Sequence, residues 1–141
     1  MSQRSKVIHD FHSVNLGQSQ LQITDAGSSV TLGPSHSGDI IALNATGGSV
    51  VTLPTPSDGL FYRFVVTNTG AHVLTAPSAC INGALAISQY STSANLATGS
   101  SKTVIKTTAG SLIGDQITLL GKDNKYFLGG VVSMFNAVNI S

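Results

Sequence analysis

From about position 20 onward, apolar and polar residues alternate in short runs broken by turn-forming residues. Leu21 and Ile23 alternate with Gln22 and Thr24, and Asp25-Ala26-Gly27 then marks a turn. Val30 and Leu32 alternate with Ser29 and Thr31 before the loop Gly33-Pro34-Ser35-His36-Ser37-Gly38. A run over 39–43 ends at Asn44 and Gly47-Gly48. The next, over 50–53, is stopped by Pro54 and Pro56, because proline cannot donate to a central ladder. The strongest pattern covers 60–68. Leu60, Tyr62, Phe64 and Val66 fall on one face, and Phe61, Arg63, Val65 and Thr67 on the other. Both faces are substantially apolar, which predicts a central strand with cover on both sides.

Beyond Asn68-Thr69-Gly70 the runs continue at 72–76, at 80–81 and at 84–87, with Asn82-Gly83 reading as a hairpin turn. Residues 89–101 are rich in Ser, Thr, Ala and Asn and read as a surface loop with one helical turn near 94–97. Alternation returns at 102–108. There Lys102, Val104 and Lys106 share a face, the pattern of an edge strand guarded by lysine against further pairing. A turn at Gly114-Asp115 precedes a run at 117–120, and Lys122-Asp123-Asn124 reads as a polar hairpin loop. Residues 125–128 pair back, Gly129-Gly130 bends the chain, and 131–140 forms an apolar tail or last strand. About nine to eleven short strands with turn signals roughly every 8–12 residues predict an all-β fold. The expected form is a β-sandwich or jelly-roll-like barrel of short antiparallel strands. No repeat of 20–50 residues stands out.

Residues 1–18 stand apart. Arg4, Lys6, His9, Asp10 and His12 crowd into one short stretch in which Phe11 and Val14 are isolated apolar residues. This reads as an extended N-terminal arm, either frayed or ordered on a neighbouring subunit. No linker interrupts 19–141, so one β-sandwich domain is expected there.

Composition supports this reading. The chain has 141 residues, 41% of them hydrophobic, with a formal net charge of +1, values that exclude a disordered chain. Only 9% are charged, every acid is an aspartate, and there are 19 Ser and 14 Thr. That mixture disfavours long helices and favours strands and turns. The near-zero charge offers no basic face for nucleic acid. A weakly charged surface is prone to association, so self-assembly or protein partners are expected. Cys80, the one cysteine, rules out an intrachain disulfide and reads as a small buried hydrophobe. Residues 1–10 lack the apolar core of a secretory signal, and no apolar run approaches the roughly 18 residues of a membrane span. The expectation is a chain made in a cytoplasm, without membrane contact.

Candidate chemistry is sparse. His9, Asp10 and His12 are possible metal ligands, but on a strand 9 and 12 face opposite ways, and on a helix, where they would share a face, the two histidines still need a third ligand and a second shell. Ser35-His36 lies in a loop that departs from the nucleophile-elbow pattern, which needs Gly where Ser37 stands. Gly99-Ser100-Ser101-Lys102-Thr103 lacks the Gly-Lys pair of a phosphate loop. The aspartates fall mostly in turns, which explains them without paired-carboxylate catalysis. No catalytic residue, metal site or cofactor is expected.

Two segments carry a resemblance. The first is Ser29-Val30-Thr31-Leu32-Gly33, continued by Val51-Thr52-Leu53-Pro54, Pro56, Gly59-Leu60, Tyr62 and Phe64-Val65-Val66. The second is Gly114-Asp115, Ile117 and Leu119, then Asn124-Lys125-Tyr126-Phe127-Leu128 and Gly130-Val131-Val132, with Tyr126 where tryptophan is frequent. Together they resemble a module common in virion proteins of tailed bacteriophages and other large DNA viruses. The resemblance covers about residues 22–133. It implies a β-sandwich or jelly-roll-like module on the particle exterior, as in capsid decoration (cement) proteins, head fibres and tail-fibre parts, often as trimers. No catalytic residue is carried over.

Without a repetitive shaft, the chain is expected to be a decoration protein. Its partners would be the major capsid protein and two further copies of itself. Arg4, Lys6 and Phe11 of the arm are the expected capsid contacts. Val132, Met134, Phe135 and Val138 are expected to pack in the sandwich or between subunits. The alternative is a fibre tip recognising a host glycan or protein through Tyr90 and the loop 88–101.

Overall fold

A computed structural model describes residues 21–87, 96–108, 111–133 and 138–141. Among the described residues twelve strands build two sheets facing one another. Six of them alternate between the sheets: β1 (Ile23–Asp25), β2 (Ser29–Thr31), β3 (Ile40–Leu43), β4 (Val50–Thr52), β5 (Phe61–Val66) and β6 (Val73–Thr75). They are followed by β7 (Ile81–Ile87), β8 (Leu96–Lys102), β9 (Val104–Thr107), β10 (Gln116–Lys122), β11 (Lys125–Val132) and β12 (Val138–Ile140). The seven-stranded sheet runs β1-β3-β5-β10-β11-β7-β8, and the five-stranded sheet β12-β9-β6-β4-β2. The chain is an all-β sandwich.

The pairing is mixed, not antiparallel throughout as expected. β1, β3 and β5 are parallel neighbours in one sheet, and β2, β4 and β6 in the other. Parallel neighbours need a crossover, and here each crossover is a strand of the opposite sheet. The turn at Asp25-Ala26-Gly27 therefore carries the chain from sheet to sheet instead of closing a hairpin. Alternation along a short strand says which side is buried and nothing about strand direction.

The Asp123-Asn124 turn is the expected hairpin. Lys122 pairs with Lys125, and both turn residues have positive φ, 53° and 59°. That geometry matches the right-handed twist of the flanking strands, and Asn and Asp tolerate it better than other side chains. Asn82-Gly83 is no hairpin. It lies inside β7, where the register with β8 shifts between Ile81 and Gly83. Gly83 has φ +131°, and a Cβ there would overlap the Leu128 backbone. The dipeptide serves as an irregularity in a strand squeezed between two neighbours. Residues 96–101, expected as loop, belong with Lys102 to β8 on the sheet edge. The lysines divide as well: Lys102 ends edge strand β8, whereas Lys106 lies on β9, which is paired on both sides.

The core fills the space between the sheets. Tyr62, Phe64 and Val66 of β5 point inward, as do Ile117 and Leu119 of β10 and Tyr126 and Leu128 of β11. Tyr62 and Tyr126 meet edge to face with ring centroids 6.5 Å apart. Each buried phenol finds a carbonyl: the Tyr62 hydroxyl donates to Gly33 O and the Tyr126 hydroxyl to Pro54 O, both at 2.8 Å. Burial, the larger cause, raises both phenols above their ordinary value, strongly for Tyr126. Asp39 adds to the effect at Tyr62, and Tyr62 and Cys80 at Tyr126. Cys80 is buried in the same core, as expected.

His72 closes one end of the sandwich. The ring is fully buried. Its Nδ1 accepts from Ser49 N–H at 2.9 Å, and Nε2 lies 2.8 Å from the Asn68 carbonyl oxygen. An N–H on one side and a carbonyl on the other fix the neutral tautomer with its proton on Nε2. Thr107 Oγ1 accepts from His72 N–H and donates to Gly70 O, both at 2.8 Å, tying β9 to the same corner.

Candidate functional site

Because β5 turns Tyr62, Phe64 and Val66 inward, it turns Phe61, Arg63 and Val65 outward, where all three are half-buried. The register extends this outer face across the larger sheet. Leu120 pairs with Phe61 and with Phe127, Thr118 with Arg63 and with Gly129, and Gln116 with Val65 and with Val131. The result is a surface unusually apolar for a sheet exterior, with Leu120, Phe127 and Val131 each 44–51% exposed. Ile23, on the same face at the sheet edge, is 60% exposed.

An open groove of about 480 Å³ lies in this face, between the strands and the loop that enters β10. Arg63, Gln116 and Thr118 bring polar groups to it, and Ile113 and Val131 supply apolar walls. Opposite Thr118 stands Gly129, so at that point β11 brings backbone and no side chain to the hollow. Gly130 has φ +127°, and a Cβ there would overlap the Gln116 carbonyl. Close approach of backbone to backbone explains glycine at this position.

Asp115 sets the wall. Although 95% of its surface is covered, its Oδ2 accepts from Leu112 N–H at 3.0 Å and its Oδ1 from Ser133 N–H at 2.9 Å. Its backbone completes the corner, with Val66 N–H donating to Asp115 O at 2.9 Å. The Gly114-Asp115 pair in the second resembling segment is thus a loop clamp. That pattern consists of structural residues elsewhere too: Gly59 N–H donates to Gly121 O, and Tyr126 reaches Pro54. The two segments lie side by side because β5 pairs with β10 and β10 with β11.

Arg63 is the notable group. Among the described residues its guanidinium makes no hydrogen bond and no ion pair, and the side chains of Gln116 and Thr118 are also without partners. A half-buried cation, an exposed amide and a half-buried hydroxyl therefore line one solvent-open hollow, none of them bonded to another described residue.

Of the residues expected to carry function, Arg4, Lys6, Phe11, Tyr90, Met134 and Phe135 lie outside the described residues, as do His9, Asp10 and His12. Val132 and Val138 belong to the hydrophobic core, 1% and 9% exposed. Of the two placements expected for them, the sandwich interior is the one found, and their side chains do not reach a subunit surface. The reason is register: Val132 sits on the inward phase of β11 with Tyr126 and Leu128, and Val138 begins a strand paired to β9.

Ser35 and His36 form no dyad. His36 Nδ1 accepts from Gly33 N–H at 3.1 Å within a turn of 3-10 helix. Asp58 accepts from Asp123 N–H at 2.8 Å and from Lys122 Nζ at 3.0 Å. These bonds, the backbone one first, hold its carboxyl below the ordinary value. Among the described residues no group of three or more His, Cys or Asp is placed to hold a metal ion. Arg63 was legible only as a cation on the outer face of the strongest strand. Its convergence with Gln116 and Thr118 depends on the β5–β10 register, which no local pattern states.

Comparison with protein-family models, curated proteins and solved structures finds no match for this chain.

Proposed function

We propose that the chain is a virion structural protein, a decoration protein that binds the outer surface of an assembled capsid and stabilises it without covalent chemistry. The observation that carries this reading is the pair of resembling segments, 29–66 and 114–132, in matching order and spacing. The neighbouring exposed side chains Leu120 and Phe127 support it, since apolar patches on a protein surface mark interaction sites. In this reading the partners are the major capsid protein and two further copies of the chain. A homotrimer suits three-fold capsid sites and lets weak contacts act together. The arm, through Arg4, Lys6 and Phe11, adds an extended segment to the capsid contact.

Two measurements test the proposal. Light scattering after size exclusion is expected to give three times the chain mass of 14.4 kDa. Co-sedimentation with capsids of the encoding virus is expected for the full chain and lost on deleting residues 1–15, with the circular dichroism spectrum kept. Full capsid occupancy by the deleted chain would overturn the arm's role, and no sedimentation of the full chain would overturn the function.

A further inference from the structure

We infer that the Arg63 groove is a binding site for a carboxylate-bearing sugar of about monosaccharide size. The inference goes beyond the capsid reading and stands independently of it.

The chemistry follows from what the groove leaves unspent. Arg63 offers a planar fork of donors that matches a carboxylate in two parallel bonds, and nothing among the described residues occupies it. Gln116 can donate and accept, as can Thr118, and both are likewise unengaged. A polyhydroxylated acid presents this same mixture, one carboxylate beside hydroxyls that both donate and accept. Asp115 does not compete for the cation, because both its oxygens are turned to backbone N–H groups. It acts as a positioning residue for the wall that carries Ile113.

Size and shape agree. The groove's 480 Å³ lies within the roughly 300–1,000 Å³ of small-molecule sites. Gly129 leaves the β11 backbone bare beside Thr118, so a ring can approach it there, next to the Val131 side chain. Val131 and Ile113, 51% and 68% exposed, stand where the C–H face of a ring would rest. A bare carboxylate such as acetate would satisfy Arg63 alone and leave the Gln116 amide and the Thr118 hydroxyl to water.

The test is a titration of the full chain, labelled with ¹⁵N, with glucuronate, using glucose, acetate and an aspartate-containing tripeptide as comparators. The expected result is saturable shifts of backbone amides at 63, 116–118 and 129–131 with glucuronate. Glucose should give none, and acetate and the tripeptide should bind at least tenfold more weakly. Arg63→Gln should weaken glucuronate binding roughly tenfold or more while leaving the remaining spectrum unchanged, as expected for loss of a charged hydrogen-bonding partner. Should that variant misfold, Thr118→Val and Arg63→Lys test the same groove, each expected to weaken binding several-fold, the lysine because it cannot form the fork. Absence of saturable shifts, shifts confined to another face, or unweakened binding by these variants would overturn the site. Acetate or the tripeptide binding as tightly as glucuronate would overturn the sugar assignment. None of these outcomes depends on capsid attachment.

Discussion

Replacing His72 by leucine tests how the winding of the chain between its two sheets is held closed. The substitution keeps an apolar side chain of similar bulk and removes both ring nitrogens. Ser49 N–H, in a fully buried residue, then has no acceptor, and Asn68 O, in a partly buried one, loses a donor. An unsatisfied buried group costs about 1–3 kcal/mol, with the Ser49 amide at the upper end and the Asn68 carbonyl at the lower, because water can reach it. The backbone bonds around the ring survive, since His72 N–H still meets Thr107 Oγ1 and Thr107 N–H still meets His72 O. The expected loss is therefore about 2–4 kcal/mol, a large part of the roughly 5–15 kcal/mol that holds a domain folded. His72→Asn is the control, because its amide oxygen can stand in for Nδ1 and keep the Ser49 bond; it should recover about half of that loss. Urea unfolding followed by circular dichroism measures both variants, with the midpoint expected to fall and the slope to hold. A leucine variant within about 0.5 kcal/mol of the parent, or an asparagine variant no better than leucine, would refute the reasoning.

Three further outcomes follow from the same structure. Both tyrosine hydroxyls have raised pKa values, so the neutral phenols stabilise the fold. That contribution is complete below the ordinary value of 10.0 and is lost as pH climbs through the folded-state values. Unfolding midpoints should fall above about pH 10, and a Tyr62→Phe, Tyr126→Phe double variant should flatten that fall while losing about 1 kcal/mol per bond at neutral pH; an equally steep fall would contradict the assignment. Gly130→Ala should cost about 1–3 kcal/mol from backbone strain alone, with overlap against Gln116 O adding to it; an unchanged melting temperature would show that φ there is not positive. Asp58 should titrate below 3.8 by carbon-detected NMR, and Lys122→Ala should restore only part of the shift, because the Asp123 backbone bond is the larger cause. Full restoration would reverse that order.

The β nature of the fold and its most buried strand were legible because the 60–66 alternation puts Tyr62, Phe64 and Val66 on one face, and burial follows that phase. The Asp123-Asn124 hairpin was legible because two residues that tolerate positive φ stand between alternating runs. Strand direction was not. Nothing in Ile23, Ile40 or Arg63 announces that their strands run parallel, because the partner of each lies one winding away in sequence. Asn82-Gly83 misled for a related reason: a glycine at φ +131° serves a strand irregularity as readily as a turn. Residues 96–102 carry little bulk, yet a strand at a sheet edge needs only backbone bonds on one side. The site was the least legible part. Arg63 sits 53 positions from Gln116 and 55 from Thr118, and only the antiparallel pairing of β5 with β10 brings them together. His72 likewise looked like an ordinary residue at a strand start, since its partners Ser49 and Asn68 lie in separate loops.

The proposed role is decoration of the outside of a virus particle. Quantitative mass spectrometry of purified intact particles from the encoding virus, with and without surface labelling by a membrane-impermeant amine reagent, tests it most directly. The chain is expected at fixed stoichiometry to the major capsid protein, with Lys106, Lys122 or Lys125 labelled on intact particles. Absence of the chain from purified particles, or its presence only where the reagent cannot reach, would contradict it.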